Sequence, residues 1–148
     1  VRGFANAMRD LATPVAMNNN LETIDIVGTG GDGSNSFNLS TGTALLAAAS
    51  GLNVTKHGNR SVSSQSGSSD LLEALHIELA SDPEKVKAIL EQTGFVFLFA
   101  PFFHPAMKNI APIRQALGVR TVFNILGPLT NPAQPNTYLL GAFSSEMA

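Results

Sequence analysis

Lys56-His57-Gly58-Asn59-Arg60 gathers three side chains able to carry positive charge within five residues. Serines follow closely at 61, 63, 64, 66, 68 and 69. Basic groups followed by many hydroxyl and amide donors suit a phosphate, with the serine loop able to fold over it as a lid; a solvated basic loop is the plainer alternative. Upstream, Gly28-Thr29-Gly30-Gly31-Asp32-Gly33 lets the backbone approach a ligand closely and turn N–H groups toward phosphate oxygens. An ordinary strand-to-helix turn would look the same. Asn38-Leu39-Ser40-Thr41 then places Ser40 or Thr41 at a helix N-terminus. Free amides and the helix dipole favour an anion there, although any serine can cap a helix. The glycine turn is neither a GxGxxG fingerprint nor a Walker loop, because no Gly-Lys-Ser/Thr follows. Asp32 would repel a phosphate; it can instead accept from sugar hydroxyls or act through Mg2+.

Further along, His104 follows the Phe102-Phe103 pair, and Arg114 lies on the helix beyond. An arginine there can clamp a carboxylate with two parallel hydrogen bonds, though by itself it reads more simply as a surface residue. His76, among Leu75, Ile77 and Leu79, reads as a packed histidine. Cysteine is absent, no serine sits in a nucleophile elbow, and the three histidines are scattered. Covalent catalysis and zinc hydrolysis are therefore disfavoured, which leaves positioning and electrostatics.

The elements that must hold these groups follow from local pattern. Residues 2–12 show helical apolar spacing, and Pro14 stops that helix. Thr23–Val27 reads as an interior parallel strand. Ser40–Ser50 reads as a small-residue crossover helix with Gly51 at its end, and Leu52–Lys56 as the second strand. A short helix capped near Ser69-Asp70 runs to Leu75. Asp82-Pro83 opens a helix that Gly94 ends. Phe95–Ala100 is an all-apolar strand closed by Pro101. His104–Leu117 is expected to be helical with a break at Pro112, Thr121–Leu126 a short helix or turn before a loop, and Thr137–Phe143 the fourth strand. Strands alternating with helices imply an α/β fold, a doubly wound parallel sheet with ligands at the carboxyl ends of its strands.

The bulk numbers narrow the function. At 148 residues the chain can bury a core, and it is 44% hydrophobic. A net charge of −2 argues against a general nucleic-acid or membrane surface. No apolar run is long enough to span a bilayer and no signal peptide is visible, so the cytoplasm is the expected location. Val1 is no initiator methionine and the last residues read as a helix start. We therefore expect a portion of a longer protein, truncated at both ends, with residues 1–13 the end of an upstream helical domain and 14–148 an incomplete α/β domain.

Taken in order, these motifs resemble the anthranilate phosphoribosyltransferase family of tryptophan biosynthesis, over essentially the whole chain. The resemblance is carried by Asp25 through Asp32, Asn38 through Thr41, Lys56 through Ser64, Ser66 through Asp70, His104-Pro105-Ala106-Met107, and Arg114 through Asn131. It implies a fold of the nucleoside phosphorylase/phosphoribosyltransferase type. It also implies transfer of the phosphoribosyl group of phosphoribosyl pyrophosphate (PRPP) to the amine of anthranilate, with Mg2+ as cofactor and a homodimer in the full-length protein. The implied donor contacts are Gly28, Gly31, Asp32, Ser36, Asn38, Leu39, Ser40, Thr41, Lys56, His57, Gly58, Asn59, Arg60, Ser61, Val62, Ser63, Ser64 and Ser68. Ser40 would also ligate Mg2+. Gly28, Asn59, His104 and Arg114 would hold anthranilate. Lys56 and His57 would position substrates, and no acid–base residue is implied.

The family places an acidic Asp-Glu pair farther downstream on a second Mg2+, and no adjacent Asp-Glu pair occurs here. The portion alone is thus expected to be inactive. The nearest rival is a pyrimidine nucleoside phosphorylase, from which the Lys56–Asn59 loop and Arg114 point away. A nucleic-acid-binding relative is disfavoured by the net charge. A decayed enzyme would have had little reason to keep so many of these glycines and polar groups.

Overall fold

The computed structural model describes residues 1–18, 20–29, 37–60, 66–117, 121–142 and 144–148. Gly31, Asp32, Ser36 and Ser61–Ser64, all named above, lie outside those residues. Among the described residues four parallel strands form one sheet: β1 (Ile24–Gly28), β2 (Val54–Gly58), β3 (Phe95–Phe99) and β4 (Thr137–Gly141), in the spatial order β3-β2-β1-β4. The order steps outward from β1 through β3, then returns to place β4 on the other side of β1. The reversal makes the carboxyl end of β1 a topological switch point, the place where α/β sheets bind ligands.

Among the described residues seven helices flank the strands: α1 (Arg2–Asp10), α2 (Leu39–Ala49), α3 (Ser68–Ala74), α4 (Pro83–Thr93), α5 (Ala100–Phe103), α6 (Met107–Leu117) and α7 (Phe123–Leu126), with a 3-10 turn at Gly127–Leu129. Because strand side chains alternate, the register sorts the core into two layers. Ile26, Val54, Phe95, Phe97 and Phe99 face Ala44 of α2 and Leu72 of α3. Val96 and Leu98 face Val86 and Leu90 of α4 and Phe103 of α5. β3 stands at the edge of this sheet, yet it is buried along its whole length because both of its faces are covered, one by each core layer.

Local signals account for several boundaries. The Asp82 carboxylate accepts from the Glu84 amide at 3.0 Å, Pro83 takes the first helical position of α4, and Gly94 ends it at φ +70°. Asp70 reaches back to the amide of Gly67 at 2.7 Å, so α3 begins one residue before the expected cap. Other expectations are corrected. β2 begins and ends two residues later than Leu52–Lys56, carrying Lys56 and His57 inside the sheet. Pro101 sits in the first turn of α5, where its missing N–H costs nothing, and β3 ends before it. Helix α6 runs unbroken through Pro112. His76 is exposed, at φ +57° just past α3, so it ends a helix rather than packing in the core. Among the described residues, no helix is long and apolar enough to cross a membrane.

Candidate functional site

β1 delivers Gly28 and Thr29 to the carboxyl edge of the sheet, with Gly28 exposed beside Gly141 of β4. Next to it, α2 presents its N-terminus. Asn38 is the N-cap residue; its carbonyl accepts from the amides of Thr41 and Gly42, while its side chain donates to Ser66 Oγ at 3.3 Å. That bond draws the segment entering α3 toward the start of α2. Gly58 completes the edge: a Cβ there would meet Phe97 Cε2 at 2.9 Å and Ser68 Cβ at 3.5 Å. Gly28, Asn38, Leu39, Ser40, Thr41, Gly58 and Ser68 are therefore brought to one edge of the sheet.

Lys56 is almost fully buried, yet its Nζ donates to the carbonyl of Ile26 at 2.5 Å and to Ser40 Oγ at 3.3 Å. Its ammonium thus sits at the N-terminus of α2. Burial lowers its pKa to about 8, against the pull of Asp25. A lysine held this way gains by meeting an anion.

On the opposite face, His57 and His104 pack their rings 5.0 Å apart. His57 Nδ1 lies 3.1 Å from the carbonyl of Gly127. A carbonyl only accepts, so Nδ1 carries the proton and Nε2 is left as an acceptor. The Nε2 atoms of both histidines are buried without a hydrogen-bond partner among the described residues. Desolvation, followed by His104 and Lys56, pushes the His57 pKa down to about 3, against the Gly127 carbonyl; burial also lowers that of His104. Both rings are neutral at physiological pH.

Asn59 is exposed at the tip of β2. Arg114, half-buried on α6, sets its guanidinium 5.7 Å from the centroid of the Phe123 ring. Arg60 stands apart from the Lys56 cluster. It pairs with Asp70 at 2.9 Å and with Glu73 at 2.5 Å, over the Phe99 ring, and these carboxylates raise its pKa.

Asp25 and Asn131 lie in motifs that carry the resemblance, but the sequence assigned neither of them a role. Asp25 is fully buried; one oxygen accepts from the His57 amide at 3.2 Å and the other from Asn131 Nδ2 at 2.9 Å. A carboxylate inside an otherwise β-branched strand was the available signal. Its partner lies 106 residues away.

Among the described residues no group of three carboxylate, histidine or cysteine ligands could hold a metal. Ser40 offers one hard oxygen, and the Lys56 ammonium beside it disfavours a bare cation. The donor set fits Mg2+ that arrives on a diphosphate, keeping phosphate and water as its other ligands.

The description "Glycosyl transferase family, a/b domain" matches residues 20–148. Anthranilate phosphoribosyltransferase from Burkholderia mallei is 56% identical over 147 residues, 99% of this chain and 43% of the relative. The crystal structure of anthranilate phosphoribosyltransferase from Thermus thermophilus superposes with a TM-score of 0.88 at 58% identity, over 96% of this chain and 43% of that one. The enzyme from Saccharomyces cerevisiae, in complex with PRPP and Mg, gives a TM-score of 0.88 at 40% identity, over 97% and 40%. The chain spans less than half the length of these relatives. With the family's pattern running from residue 20 to residue 148 over a parallel sheet of matching shape, the chain belongs to the glycosyl transferase family, within its a/b domain.

Proposed function

We propose that the protein carrying this chain transfers the phosphoribosyl group of PRPP to the amine of anthranilate, releasing pyrophosphate. The observation that carries this reading is the Lys56 ammonium, buried and aimed at Ser40 where α2 begins. Similarity to anthranilate phosphoribosyltransferases along nearly the whole chain supports it.

In this reading the amides of residues 38–41, the Ser40 and Thr41 region and Lys56 hold the diphosphate. Gly28 and Gly58 leave room for ribose and phosphate to approach the backbone. Asn59 and Arg114 hold the acceptor, the guanidinium against its carboxylate, and His104 lines its path. The amine nitrogen forms a bond to the anomeric carbon as the bond from that carbon to the pyrophosphate oxygen breaks, through an oxocarbenium-like state. Lys56 meets the charge that grows on the leaving pyrophosphate. Mg2+, when bound, would neutralise part of that charge, with Ser40 as a protein ligand. The anilinium proton is acidic and leaves to solvent, so no dedicated base is required; His57, with a pKa of about 3, would be a poor one. A homodimer in the cytoplasm goes with this reading.

Calorimetric titration of the complete gene product with PRPP tests the donor site. Saturable binding that tightens with Mg2+ is expected. No binding with or without Mg2+ would overturn the reading.

A further inference from the structure

Asp25 and Asn131 form a closed circuit with His57. Asp25 holds the backbone of His57 through its amide. The His57 ring donates from Nδ1 to the carbonyl of Gly127. Four residues past Gly127, Asn131 returns to Asp25, using both amide hydrogens of Nδ2: one on Asp25 Oδ2 at 2.9 Å, one on the carbonyl of Thr55 at 2.7 Å. Its own oxygen accepts from the Ala133 amide at 2.9 Å. Between them, Thr130 Oγ1 donates to the carbonyl of Leu126 at 3.0 Å. Asp25 and Asn131 are both buried.

We infer that Asp25 and Asn131 are positioning residues for the acceptor half of the site: they clamp the loop from Gly127 to Asn131 onto the sheet and so lock neutral His57 in one orientation and one tautomer. Its Nε2, buried beside the His104 ring, is then held in the wall behind the acceptor half of the site. The inference rests on the proposed transfer reaction and adds two residues that touch neither substrate in that reading.

Packing alone is a poor reason for such a clamp. A buried carboxylate carries a desolvation penalty, seen in the Asp25 pKa raised to about 6, and an apolar pair of similar volume would hold the same elements together at least as well. What the polar pair adds is direction. It fixes the distance between the β2 backbone and the carbonyl that chooses the His57 tautomer.

The test compares the unsubstituted complete gene product with Asn131→Ser and Asp25→Asn. Asn131→Ser removes the two-pronged donor. Asp25→Asn sets an amide against the Asn131 amide while leaving an oxygen for the His57 N–H. Long-range proton–nitrogen NMR of histidine-labelled protein reads the His57 tautomer. In the unsubstituted protein a single Nδ1-protonated form is expected; in folded variants, a mixture. The KM for anthranilate should rise ~10-fold in the variants, with the KM for PRPP little changed. Equal rises in both KM values, or a His57 tautomer untouched by either substitution, would overturn the inference. If neither variant folds, the unsubstituted spectrum still decides, because an Nε2-protonated or mixed His57 would overturn it. PRPP binding without transfer to anthranilate would overturn the proposed reaction instead, and the tautomer would report on the clamp separately.

Discussion

Lys56 and His57 are consecutive on β2 and point to opposite faces of the sheet. Lys56 reaches Ser40 at the start of α2; His57 packs its ring against His104 and bonds the carbonyl of Gly127. Strand alternation alone produces this division. One dipeptide thereby places a cation on one face and a neutral ring on the other, which in the proposed reading are the donor and acceptor halves of the site, with Gly58 and Asn59 continuing into the edge between them.

Lys56→Met tests the charged half. Methionine keeps most of the length and removes an ammonium that burial already disfavours. Thermal stability should hold or rise. Affinity for PRPP should fall about 10- to 100-fold, as expected for loss of a charge-assisted contact of ~1.5–3 kcal/mol. Calorimetry and a thermal melt on the same sample check both.

The pH dependence of stability carries two opposed contributions. The pKa of His57 is lower folded, about 3, than unfolded, about 6.5, so between those values the unfolded state binds the extra proton and stability falls as pH falls. The pKa of Asp25 is higher folded, about 6, than unfolded, about 3.8, so there the folded state binds the extra proton and stability rises as pH falls. Between about pH 4 and 6 these two oppose each other, and His104, whose pKa burial also lowers, adds to the loss of stability on acidification. Asp25→Asn removes one of them and should leave a slope of ~1.4 kcal/mol lost per pH unit on acidification. Urea unfolding midpoints at several pH values would show it; parallel profiles for the two proteins would contradict it.

Gly58→Ala should destabilise by ~1–3 kcal/mol, because the added methyl meets the Phe97 ring at 2.9 Å. Phe97→Leu in the same background should recover part of the loss, by removing the atoms that are struck. Additive losses in the double variant would show that some other contact is responsible.

Arg60→Ala should change the KM for PRPP less than threefold and barely move the melting temperature. Its guanidinium is exposed and already engaged by Asp70 and Glu73, and exposed pairs contribute little. A large rise in the KM for PRPP would show that Arg60 leaves those carboxylates for the donor.

What could be read from the sequence was what is local. Asp82, Pro83 and Gly94 announce α4 because a cap and a left-handed stop involve residues within a turn of each other. The four strands follow from short apolar runs, and the clustering of Asn38–Thr41 with Lys56–Gly58 follows from where parallel strands end. Local pattern places β2 two residues early because Lys56 and His57 look like surface residues; Ile26, Ser40, Gly127 and Asp25 make them interior ones, and none of these is near in sequence. Asn131 is hidden for the same reason: a loop asparagine joins the buried network only through Asp25 and Thr55. Arg60 shows the reverse, a basic residue in a phosphate-like motif that local acidic partners on α3 draw away.

The measurement that bears most directly on the whole account is the loss of anthranilate fluorescence with the complete gene product. Loss that requires PRPP, Mg2+ and protein together, and that disappears in Lys56→Met, is predicted. Unchanged fluorescence in a protein that binds PRPP would contradict the proposed acceptor and the role given to Arg114.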